Sequence, residues 1–141
     1  MSAFERLAST PPVTMQRFGR EAAVWAITLF LFQAFVHAGY LKLLDGSGWT
    51  EAFTEWGYPA WFRRLVGIAE LAGGILILYP RYAAYGALVI LCVMVGAIST
   101  HFRVGEFMDA YTSDLPSFCF SAVLILARWP TRNAPPPSPA R

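Results

Sequence analysis

Four long apolar runs divide the chain, and each approaches the length of a membrane crossing. Spanning a hydrocarbon core of about 30 Å takes roughly 20 apolar residues in a helix. The first run covers 22–41, with Gln33 and His37 as its polar interruptions. The second covers 61–79 and is stopped by Pro80, which removes a backbone donor and clashes with the preceding turn. The third, 82–100, holds no charged residue, and the fourth, 115–129, is the shortest. Arg128 near its end reaches the interface by snorkelling. Only Pro80 and Arg81 separate the second run from the third, so these helices are antiparallel neighbours. Ala69 and Gly73 are four apart, as are Ala83 and Ala87, which permits close helix contact. The pattern predicts an all-α membrane protein, a four-transmembrane-helix bundle.

The connection between the first two runs is long. Within it Trp49, Phe53 and Trp56 recur at helical spacing, with Glu51 and Glu55 elsewhere on the wheel. This predicts a short helix lying in the outer interface, aromatic side down. An irregular loop with membrane-anchoring aromatics is the alternative. Residues 1–21 precede the first run, and 130–141 form a Pro-rich tail expected to be extended and exposed. Glu5, Arg6, Pro11 and Pro12 come before any apolar run, so a cleaved signal peptide is not expected.

Composition strengthens the membrane reading. Of 141 residues, 56% are hydrophobic and 14% charged, against about 25% charged in soluble domains. Five Trp and six Tyr suit membrane–water boundaries. A net charge of +2 is too small and scattered for a nucleic-acid partner. Cys92 and Cys119 sit in separate apolar runs, with no C-x-x-C pair, and read as packing residues. With the N-terminus inside, Arg6, Arg17, Arg20, Arg81, Arg128, Arg132 and Arg141 are cytoplasmic, and Lys42, Arg63, Arg64 and Arg103 are outside. The bias of basic residues favours this orientation, with both termini cytoplasmic.

Candidate chemistry centres on Glu70. It lies nine residues beyond Trp61, about 13 Å into the second helix. A carboxylate at that depth must face protein or water. Gly67, Gly73 and Gly74 place it on the small-residue face, where another helix packs. Two roles stay open: a proton carrier or ligand contact, and a structural tie between helices. Gln33 matches its depth from the first helix, and His37 lies one turn above on the same face. Lys42, Arg63 or Arg64, and His101 form a basic rim. The residues predict a polar pocket opening outward, with Glu70 and Gln33 as floor and His37 as wall. Such a cavity suits a quinone or lipid headgroup, or a small anion. Convergence of His37 and Lys42 needs a bend, which Gly39 could supply. No metal is expected, because the two histidines and Glu70 lie at different depths without tight spacing. The chain has no nucleotide-binding glycine loop and no recognisable Ser–His–Asp motif, so no self-sufficient catalytic motif is present. A transporter would need polar residues continuing inward, and only Thr28 is available there.

The ordered motifs resemble the DoxX family. Gly39-Tyr40-Leu41-Lys42-Leu43 matches its G-x-x-K-L, and Gly57-Tyr58-Pro59 its entry to the second helix. Gly67-Ile68-Ala69-Glu70 followed by Gly73-Gly74 matches its G-x-x-E-x-x-G-G. Arg81, Ala83 and Ala84 match the start of its third helix, and His101 the end. The similarity covers about 35–101. It implies a multi-pass protein of a bacterial-type inner membrane, related to the membrane subunit of a thiosulfate:quinone oxidoreductase. The expected function is a membrane subunit that binds a quinone or similar amphiphile for a redox partner on the outer face. The alternative is an accessory subunit of a larger membrane complex. Lipid, other membrane or outer-face redox proteins, and copies of itself are the expected partners; no cofactor is evident beyond a quinone.

Overall fold

The computed structural model describes residues 12–129, so the remaining N-terminal segment and the Pro-rich tail lie outside the described residues. The described residues form helices and turns, with no strand among them. In chain order these are α1 (Pro12–Leu43), α2 (Gly48–Glu55), α3 (Ala60–Leu76), α4 (Ala83–Val104), α5 (Phe107–Asp109), a π-helical turn over Ala110–Asp114, and α6 (Leu115–Arg128).

Three helical stretches are long and apolar enough to cross a membrane: Arg17–Leu43, Ala83–Val104 and Phe107–Arg128. The first begins well before residue 22, because apolar patterning marks where lipid begins rather than where hydrogen bonding begins. The last is not the shortest. Helical structure continues unbroken from Phe107 through the π turn, giving 22 residues. Pro116 sits in the first turn of α6. Its missing N–H leaves the preceding turn short of a regular i→i−4 bond, and the chain widens there into π geometry. By contrast α3 has 17 residues; Ile77–Tyr79 turn toward α4, which begins past Pro80.

The helices pack in the order α1, α3, α4, α6, and α6 returns to α1. The core between them holds Leu31, Phe35, Ile77, Ala87, Ile90 and Leu124. The outside is just as apolar: Leu29, Phe30, Ile68, Leu88, Val123 and Leu126 are all exposed. A water-soluble surface rarely carries such continuous apolar area. Hydrocarbon is the solvent that fits these faces.

Glycines set the helix spacing. A Cβ on Gly39 would lie 2.7 Å from the Gly67 carbonyl oxygen, and one on Gly67 would lie 2.9 Å from that of Gly39. The two backbones therefore touch where α1 crosses α3. On the other side, a Cβ on Gly86 would lie 2.8 Å from the Gly73 carbonyl oxygen, so α3 and α4 touch as well. Gly39 serves this approach inside a continuous α1 instead of bending the helix.

Candidate functional site

The Gly39–Gly67 crossing builds the centre of the site. Lys42 lies one turn beyond Gly39, and Glu70 one turn beyond Gly67. α1 and α3 run in opposite directions, and helical side chains lean toward their own N-terminus. Lys42 and Glu70 therefore lean toward each other. Each lies over the other helix's glycine: a Cβ on Gly67 would be 3.0 Å from the Lys42 Cβ, and one on Gly39 would be 3.1 Å from the Glu70 Cβ. Lys42 Nζ donates to both Glu70 oxygens, at 2.9 and 3.1 Å. Both residues are buried. Nζ also sits 3.7 Å from the centre of the Trp49 ring, a cation–π contact. One of the ammonium's three N–H donors remains beyond the two that Glu70 takes.

A second polar pair, a histidine against a carboxylate, joins α4 to the π turn. His101 Nδ1 lies 2.6 Å from Asp114 Oδ2, and both residues are buried. The π turn carries Asp114 to this position, 13 residues from His101 in sequence. His101 Nε2 is 3.7 Å from Glu106 Oε2, beyond hydrogen-bond length. It is the ring nitrogen not held by Asp114.

Both pairs line one cavity of about 420 Å³, within the range of small-molecule sites. Its walls are apolar, and Ala34, Ala38, Ala69, Gly96 and Ala97 leave it empty because they are small. The aqueous end is roofed by aromatics: Trp49, Phe53, Trp56, Tyr58 and Phe62. The rings of Phe53 and Trp56 are 5.3 Å apart and those of Tyr58 and Phe62 4.9 Å apart. Trp49, Trp56, His101, Ser113 and Asp114 also border a second pocket, so they form a partition between the two.

The structure brings together part of the predicted pocket. Lys42, Glu70 and His101 line the cavity. Gln33 and His37 do not: both are exposed, on the side of α1 facing away. The buried stripe is Val24, Thr28, Leu31, Phe35, Gly39 and Lys42, and His37 is about 200° around from Phe35. Direct contact between Lys42 and Glu70 leaves His37 no place between them. Arg63 is buried behind the cavity. Its Nη1 donates to the Lys42 and Leu44 carbonyls, and its Nη2 reaches Asp45 Oδ1 at 2.5 Å. It caps the end of α1, where the last carbonyls lack helical partners, and so fixes Lys42. Gly67, Gly73 and Gly74 all lie at tight helix contacts. The aromatic face of α2 covers the cavity, with Trp49, Phe53 and Trp56 packed over Lys42, Phe62 and His101.

Each residue of the basic rim has a carboxylate partner. Lys42 pairs with Glu70, His101 with Asp114, and Arg63 and Arg64 with Asp45. The two guanidinium groups hydrogen-bonded to Asp45 hold its carboxyl below the usual value of 3.8. Asp114 was invisible as a site residue in sequence. Pro116, which cannot complete the regular bonding of the preceding turn, is the local sequence signal that this stretch departs from α geometry.

Apolar outer faces, three membrane-length helices and a cavity between them define a helical membrane protein. The profile of the DoxX-like family matches residues 24–128, and the chain belongs to that family. The uncharacterized protein YwoB of Bacillus subtilis is 30% identical over 86 residues, covering 61% of this chain and 53% of YwoB. The uncharacterized protein YdgD of the same organism is 42% identical over 67 residues, covering 45% of this chain and 59% of YdgD. The chain thus spans little more than half the length of these curated relatives. No solved structure gives a significant match.

Proposed function

We propose that this chain is a membrane subunit that binds a quinone or similar amphiphile for a redox partner on the outer face of a bacterial-type inner membrane. The observation that carries this reading is the cavity itself: apolar walls around a buried polar patch in which Lys42 is paired with Glu70 and His101 is hydrogen-bonded to Asp114. An uncharged head with hydrogen-bond acceptors fits such a patch. A small anion fits less well, because each cation already has a carboxylate. Lys42 supplies a donor to one carbonyl oxygen, and His101, oriented by Asp114, exchanges a proton at another.

In this reading α3 is a fourth crossing. Its 17 residues span about 25 Å, its outward residues Leu65, Ile68 and Ile75 are apolar, and its two interior charges, Arg63 and Glu70, are paired. The inside-positive bias of the basic residues supports an outward-facing cavity end.

The test is purification in mild detergent, followed by mass spectrometry of co-purifying molecules for wild type and Glu70→Gln. A quinone or other amphiphile retained by wild type and lost from the variant is the expected result. Stoichiometric partner proteins without any small molecule, unchanged by the substitution, would instead make this an accessory subunit.

A further inference from the structure

We propose that the cavity opens sideways into the hydrocarbon, through a window between α3 and α4 past Leu65, Cys92 and Gly96, and that its ligand enters from the bilayer with an alkyl tail left in lipid. The proposal rests on the amphiphile-binding reading above and adds the route and the tail.

The window is framed at both ends. At the aqueous end the Tyr58 hydroxyl is hydrogen-bonded to Thr100 at 2.8 Å, and Arg103 Nη2 donates to the Trp56 carbonyl at 2.7 Å. These bonds tie the entry of α3 to the end of α4. At the far end Gly73 and Gly86 bring the two backbones into contact. Along α4, Thr100 lies 14 positions beyond Gly86, about 21 Å of helix. Gly96 and Cys92 sit one and two turns below Thr100, about 6 and 12 Å. Leu65, seven residues beyond Tyr58, falls at a comparable depth on α3. All three line the cavity, and all three are also exposed. A residue that does both stands at a mouth, and this mouth lies on the lipid-facing side.

The surroundings of Gly96 agree with this. Glycine inside a helix costs about 1 kcal/mol relative to alanine. At Gly39, Gly67, Gly73, Gly74 and Gly86 close packing requires it, because an added Cβ would meet another atom at 3.0 Å or less. At Gly96 a Cβ would meet nothing within 4 Å. The same holds at Gly19 in α1, so the finding at Gly96 is one of space: nothing obstructs the edge of the cavity there. The occupant follows from the walls: a polar head reaches the Lys42–Glu70 floor while an apolar chain passes between Leu65 and Gly96.

The test uses the full chain in lipid nanodiscs and an alkyl-tailed benzoquinone, with binding followed by stopped-flow quenching of tryptophan fluorescence. Gly96→Leu adds a side chain where there is room, and Leu65→Phe narrows the opposite lip. Association and dissociation are both expected to slow about tenfold, leaving affinity within about threefold of wild type. Arg103→Ala, which loosens the aqueous end, is expected to leave the rates unchanged. Wild-type rates in both lip variants, or faster association in Arg103→Ala, would overturn the lateral route while keeping the binding reading. Failure of wild type to bind the probe at all would overturn both.

Discussion

The two sides of α3 are packed by the same device to different ends. Toward α1 the helix is closed along its length, by Gly67 against Gly39 and by Gly74 against Val36. Toward α4 the backbones touch only at the far end, by Gly73 against Gly86; the aqueous end is tied by side-chain hydrogen bonds of Tyr58 and Arg103, and between these closures the helices enclose a cavity. In lipid, helix association depends on close van der Waals contact and polar ties, since hydrocarbon offers no hydrophobic drive between helices. A glycine therefore decides locally whether two helices touch. The closed side positions Lys42 and Glu70; the open side leaves room in front of them.

The sharpest test of the closed side removes one member of its ion pair. Lys42→Ala or Glu70→Ala alone leaves a buried unpaired charge and is expected to cost about 3–5 kcal/mol. Thermal unfolding in detergent measures it. The double replacement Lys42→Met with Glu70→Leu is expected to recover most of that loss, because apolar groups of similar volume need no partner. Failure to recover would show that the crossing depends on the pair itself.

Overpacking the two crossings comes next. Gly39→Val and Gly86→Val each force backbone apart and are expected to cost about 1–3 kcal/mol, by the same unfolding measurement. Equal costs would show that both sides of α3 depend on contact in the same way. At the window, Gly96→Ala adds a methyl group in open space and is expected to stabilise the helix by up to about 1 kcal/mol. A loss there would mean that something packs against Gly96 in the membrane.

The smallest effect concerns the brace behind Lys42. The lowered value of the Asp45 carboxyl means that its contribution is complete above the ordinary value of 3.8 and is lost as pH falls through the lowered one. Asp45 is exposed, so the effect is slight. Acid titration of stability for wild type and Asp45→Asn should differ only in that acidic range, with the wild type losing its small advantage there.

Sequence legibility followed the range of the interactions. Apolar run length and the scarcity of charge gave the membrane class, because lipid acts on every outward residue at once. The motifs around Gly39, Lys42, Gly67 and Glu70 were readable because glycine and charge are both costly inside a membrane helix and stand out. The pairing of Lys42 with Glu70 was not read. It follows from two antiparallel helices meeting at their glycines, and a single helical wheel carries no such information. Gln33 and His37 show the same limit from the other direction. Their polarity and depth suited a pocket, yet the packed stripe of α1 runs through Leu31, Phe35 and Gly39 and turns both residues outward.

The sequence by itself determined that this chain is a helical membrane protein of the DoxX-like family with a charged residue deep in its second apolar run. Only the tertiary structure decided which charges meet, that Asp114 joins the site through a π turn, and that α3 and α4 part over Gly96. The physical reason is that burial in lipid is a property of each segment alone, whereas an ion pair or a cavity exists only once the distance between two helices is set.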